Sequence, residues 1–217
     1  MECCMNDREV TKPLLRGYFH EWMFFISVGA CIPLITNSTN SIELAATIVY
    51  SMGVCMMFGF SALYHRVDWR YRVLKIMRRL DHSAIFVMIA GSFTPICLLV
   101  LPGDTGLQLL LIIWVIAVIG ILQTLLFTQT PRLVRASIYL VAGYMAIPYL
   151  SVMSSVMTMT NFTLTAAGGT IYTVGAIGYG FKFPDISPKY FGYHEFFHIL
   201  VSIAAALHFI VIYSIVG

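Results

Sequence analysis

Apolar residues run through this chain in long, nearly uncharged blocks, with neither the alternation of a half-buried strand nor the one-sided stripe of a surface helix. Seven windows, roughly 20–37, 42–65, 81–101, 106–128, 134–155, 160–180 and 195–216, approach the about 20 apolar residues that a helix needs to cross a bilayer. Short polar breaks separate them, such as Asn37-Ser38-Thr39-Asn40, Pro102-Gly103-Asp104 and Asn161, and none is long enough to hold a soluble domain. The pattern predicts an all-α fold, a seven-transmembrane helix bundle over residues 20–217 preceded by a short segment, 1–19. That segment mixes acidic and basic side chains and lacks a cleavable apolar core, so it does not read as a signal peptide.

Composition agrees. At 59% hydrophobic, 11% charged and mean hydropathy +0.84, the chain lies outside the range of soluble globular domains. The net charge of +3 is small, and no basic stripe interleaved with aromatics points to nucleic acid. The five cysteines, Cys3, Cys4, Cys31, Cys55 and Cys97, form no C-x-x-C pair and read as reduced thiols, although Cys3 and Cys4 carry a weak lipidation pattern.

Charge supplies an orientation. Arg8, Lys12 and Arg16 precede the first window, and Arg66, Arg70, Arg72, Lys75, Arg78 and Arg79 join the second to the third. Arg132 and Arg135 join the fourth to the fifth, and Lys182 and Lys189 join the sixth to the seventh. Every Lys and Arg falls in this alternating set. Because cationic loops stay in the cytoplasm, the N-terminus and segment 1–19 are predicted inside and the C-terminus outside, in a multi-pass protein of the cell membrane.

Titratable groups inside spans are costly and are candidates for function. His65 closes the second window, Asp81 and His82 open the third, and His194, Glu195 and His198 begin the seventh, all at the predicted cytoplasmic level. His194 and His198 share a helix face, the two-ligand spacing of H-E-x-x-H. Three neutral imidazoles with one open position make a catalytic type of zinc site, where water is acidified to a pKa of about 7. Zinc (Zn2+) is the favoured ion, and imidazole also accepts iron, nickel or copper. Asp81 either orients that water and takes its proton or pairs with Arg78 or Arg79. Ser61, one turn before His65, either serves the same centre or is a helix contact. His82 and His208 read as packing or hydrogen-bonding residues, the latter ~15 Å deeper than His198. Glu195 fits a helix cap better than a general base. His20 and Glu21 form an interfacial pair or a gate.

The segments Ser61-Ala62-Leu63-Tyr64-His65, Leu80-Asp81-His82-Ser83 with Ala90-Gly91-Ser92-Phe93-Thr94-Pro95, and His194-Glu195-Phe196-Phe197-His198 resemble the signature motifs of the hemolysin III group of the progestin and adipoQ receptor family. Lys12-Pro13 through Arg16-Gly17 and His208-Phe209 fit the same pattern. The resemblance implies seven helices and zinc held by His65, His194 and His198, with Ser61 and Asp81 beside it as catalytic candidates. Kinship to adiponectin receptors and alkaline ceramidases implies zinc-dependent hydrolysis of a lipid amide, with membrane lipids as partners. The short N-terminal tail departs from the receptor branch, and argues against a hormone-receptor role. Two other readings compete with the hydrolase: a non-catalytic sensor or pore-forming hemolysin with structural zinc, and an intramembrane protease using Glu195 as base.

Overall fold

Hydrocarbon offers no hydrogen bonds to a peptide group, so apolar blocks of this length fold as helices that satisfy their own backbones. The computed structural model describes residues 13–127, 130–187 and 189–217. Cys3, Cys4, Arg8 and Lys12 lie outside the described residues. The helices are α1 (Tyr18–Thr36), α2 (Ser41–Arg66), α3 (Tyr71–Pro95), α4 (Gly103–Leu126), α5 (Arg132–Tyr144), α6 (Leu150–Val156), α7 (Met159–Phe181) and α8 (Tyr193–Ser214). The short α6 continues the line of α5, so the described residues make seven rods. Six are long and apolar enough to cross a membrane, and the chain is a multi-pass membrane protein. The remaining rod, α7, matches them in length but carries Asn161, several threonines and paired glycines.

Three boundaries depart from the sequence expectation. The third rod begins at Tyr71, not 81. Its first ten residues are rich in Arg and Lys, which read as a loop, yet these are good helix formers once their charged ends reach water. The fifth rod, expected unbroken over 134–155, is interrupted by a 3-10 turn at Ile147–Tyr149, because Pro148 has no amide hydrogen to continue the helix. The last rod starts at Tyr193, which puts His194 inside its first turn. At the far end of α3, Pro95 is followed by a π-helical turn, Ile96–Val100.

The basic connections gather at one end of the bundle. There Leu14 and Leu15 donate backbone hydrogen bonds to the carbonyls of Lys189 and Tyr190 (3.0 and 3.2 Å), strapping the start of α1 to the α7–α8 loop. Arg66 pairs with Glu21 at 2.8 Å and lies over the Tyr18 ring. At the neutral end, Asn37 donates to the Tyr213 hydroxyl and Ser214 to Asn161.

The α2–α3 interface is the most extensive, followed by α7–α8 and α1–α2. Glycines set its closeness. A Cβ on Gly53 would lie 3.1 Å from the Val87 carbonyl, and one on Gly91 would lie 3.2 Å from the Val49 carbonyl. Small residues let membrane helices approach backbone to backbone, where dispersion replaces the missing hydrophobic drive. One apolar core, with Tyr50, Phe58 and Met88, fills the space among α1, α2, α3 and α8. A second, with Phe86, Leu109, Ile113 and Met153, joins α3 to α4, α5 and α6.

Replacing Gly91 with valine is expected to destabilise the bundle by about 1–3 kcal/mol through overpacking. Thermal unfolding in detergent checks this, and an unchanged Tm would contradict the backbone-level contact.

Candidate metal centre

Four rods bring side chains to one place near the basic end. His65 sits in the last turn of α2, His194 and His198 in the first two turns of α8, and His20 in the first turn of α1. Asp81 lies ten residues into α3, so about 15 Å of helix projects beyond it toward the basic end. One ring nitrogen each from His65, His194 and His198 lies within 4.8 Å of the others. His65 Nε2 and His194 Nε2 are 3.1 Å apart, close to the roughly 3.3 Å kept by two nitrogens on one tetrahedral zinc.

The surroundings fit a cation. Asp81 Oδ2 is 4.0 Å from His65 Nε2 and 3.9 Å from His82 Nε2. His198 is 2% exposed, and its Nδ1 is buried with no hydrogen-bond partner among the described residues. Neutral imidazoles this close, with a carboxylate beside them, suit a divalent ion better than mutual hydrogen bonding, which can satisfy only one pair. The cluster can therefore hold a metal ion.

One buried hydrogen bond lies behind the cluster. The Ser61 hydroxyl lies 2.8 Å from His20 Nδ1, and both residues line the same cavity as Asp81. The His20 ring stacks flat on His198, with centroids 3.7 Å apart and planes 2° apart. The sequence shows His20 only as a histidine at a helix start; its stacking depends on how α1 leans on α8.

Other expectations resolve in the same geometry. Among the described residues, Asp81 makes no ion pair with Arg78 or Arg79. The arginine that enters the region is Arg135, whose Nη1 donates to His82 Nε2 at 3.1 Å. Glu195, fully buried, caps α8 by accepting from the Gly192 amide at 2.8 Å, and its other oxygen pairs with Arg16. Both oxygens are thus engaged away from the cluster, as a cap requires and a general base does not. Gly17 makes the strap possible. It adopts φ +86, and a Cβ there would come 2.8 Å from the Cβ of His65. Cys31, Cys55 and Cys97 are free thiols and stand outside the cluster. His208 donates from Nε2 to the Thr165 carbonyl at 3.2 Å and takes no part in it.

The cluster forms one end of an internal cavity of about 180 Å³ walled mainly by apolar side chains of α3, α5, α7 and α8. Between α5 and α7, Tyr144 and Thr173 face each other across its side with their hydroxyls 3.1 Å apart. A Cβ added at Gly143 or Gly169 beside them would meet nothing within 4 Å, so this flank is thin.

Fold and site together define a multi-pass membrane protein with a histidine cluster inside the bundle. The chain belongs to the Haemolysin-III related family, whose pattern matches residues 8–209. It is 33% identical to Hemolysin-3 of Bacillus cereus over 173 residues, 77% of this chain and 78% of that one. It is 29% identical to the Hemolysin-3 homolog of Bacillus subtilis (strain 168) over 80% of this chain and 82% of that one. It is also 28% identical to the monocyte to macrophage differentiation factor of Homo sapiens, over 91% of this chain and 81% of that one.

Purified protein is expected to carry one divalent ion per chain. Replacing His198 with alanine should weaken its binding at least about 100-fold, as read by metal analysis after dialysis against a competing chelator. Replacing Glu195 with glutamine should leave the metal content unchanged while costing about 3–5 kcal/mol of stability, because it strands Arg16. Loss of the ion with unchanged stability would reverse the assignment of Glu195 as a cap.

Proposed function

We propose that the protein is an integral membrane hydrolase of a lipid amide, dependent on zinc held by His65, His194 and His198, that serves membrane lipid homeostasis. The observation that carries this reading is the position of the histidine cluster at the end of an apolar cavity. A carbonyl can lie at the cluster while its chain fills the cavity, and the thin α5–α7 flank gives an acyl chain a sideways route from the bilayer. The basic end faces the cytoplasm of the cell membrane, as the placement of every Lys and Arg supports.

Zinc, when bound, supplies Lewis acidity that polarises the carbonyl and brings the pKa of water to about 7. The chain's own residues do the rest. Asp81 takes the proton of the attacking water and returns it to the leaving amine. Ser61, in the same cavity wall as Asp81, offers its hydroxyl to the water or the substrate. His20, holding Ser61 from behind, keeps that hydroxyl in register. The apolar walls exclude bulk water, so only the water delivered to the cluster reacts.

One observation favours a second reading. Asp81 Oδ2, at 4.0 Å from His65 Nε2, is near enough to be a fourth ligand. A centre closed that way is structural, and the protein would then be a non-catalytic membrane sensor.

Purified protein in lipid nanodiscs, stripped with chelator and reloaded with zinc, is expected to release fatty acid from a lipid amide. Replacing Asp81 with asparagine should lower kcat by about 10²–10⁴-fold with the ion retained. Loss of the ion in that variant would favour the closed structural site, and turnover that survives alanine at both His194 and His198 would remove hydrolysis from this centre.

A further inference from the structure

The cavity has polar groups at its other end as well. Ser92 on α3, Tyr172 on α7 and His208 on α8 line it. His208 is ten residues past His198 along α8, about 15 Å deeper, and Ser92 is a similar distance past Asp81 along α3. That depth approaches the middle of a hydrocarbon layer about 30 Å thick, where polar side chains are rare and costly.

Their chemistry is complementary. His208 Nε2 lies 3.2 Å from the Thr165 carbonyl, which can only accept, so Nε2 carries the hydrogen and Nδ1 keeps its lone pair. The Tyr172 ring is 5.5 Å from the His208 ring, and its hydroxyl is buried with no hydrogen-bond partner among the described residues. The imidazole has a space made for it: a Cβ on Gly168 would collide with the His208 ring. Tyr172, with an unanswered donor, and His208, with the lone pair of Nδ1, are thus neighbouring residues in the wall of an apolar chamber.

We propose that Tyr172 and His208, with Ser92, form a second subsite that takes a hydroxyl carried on the apolar chain of a lipid whose head lies at the histidine cluster. A hydroxyl accepts from Tyr172 and donates to His208 Nδ1 at once. A plain hydrocarbon leaves both groups unpaired, which is unfavourable in a dry cavity. The subsite deepens the lipid reading of the cavity and rests on it, but it concerns binding and not turnover.

Native mass spectrometry of the full zinc-loaded chain in detergent tests this with three acids: stearic, mid-chain hydroxystearic and alpha-hydroxystearic. The mid-chain hydroxy acid is expected to bind about tenfold more tightly than stearic acid. Replacing Tyr172 with phenylalanine should bring the two to parity without weakening stearic acid, and should not change the alpha-hydroxy acid, whose hydroxyl stays near the head. His208→Leu should act on the same preference. Equal binding of stearic and mid-chain hydroxystearic acid by the unaltered protein would overturn the subsite alone. So would a preference that survives both substitutions. Binding of none of the three would overturn the lipid reading, and the subsite with it.

Discussion

A polar group inside a bilayer has no water to fall back on, and this constraint organises the whole basic half of the bundle. Several buried charges and ring nitrogens there are answered by another part of the chain, while His20 Nε2 and His198 Nδ1 find no hydrogen-bond partner among the described residues. Glu195 is answered by Arg16 and the Gly192 amide, and His82 by Arg135, which also donates to the Thr130 carbonyl. Ser61 and His20 answer each other. The nitrogens that His65, His194 and His198 turn toward one another cannot all be satisfied within the set, because each neutral ring offers one donor and one acceptor. A metal ion held by the three rings would resolve that deficit.

Placing those groups requires close backbones more than strong bonds. The glycine contact between α2 and α3 fixes their separation, and so brings a residue at the end of α2 within 4.0 Å of one deep in α3. The strap at Leu14 and Leu15, with Gly17 turned against His65, then seats α1 so that His20 stacks on His198. Phe86 of α3 presses on Gly120 of α4, leaving no room for a larger residue there. The polar centre is thus held by helices whose packing is itself apolar.

The H-E-x-x-H string shows how one spacing can serve two chemistries. In a soluble zinc protease the glutamate faces the metal. Here the first turn of α8 begins at Tyr193, so Glu195 falls at the third helical position, where a carboxylate reaches back to the free amides of the helix start. Arg16 arrives from the opposite end of the sequence to pair with it, and the glutamate is committed to structure.

Much of this was legible in the sequence, because a membrane writes its demands on composition. Uncharged blocks of spanning length marked the rods, and the alternating Lys and Arg marked the loops that the fold gathers at one end. The position of each histidine within its block set its depth, and the four-residue step between His194 and His198 put both on one face. Other features needed the tertiary structure. The charged start of α3 looked like a loop because composition cannot tell a solvated helix from a turn. The break at Pro148 was visible as a residue but not as a displacement. The stacking of His20, the pairing of Arg16 with Glu195 and the neighbourhood of Tyr172 and His208 join segments far apart in the chain. Their meeting depends on how rods cross and rotate, which is decided by side-chain packing over whole interfaces and leaves no periodic mark along the sequence.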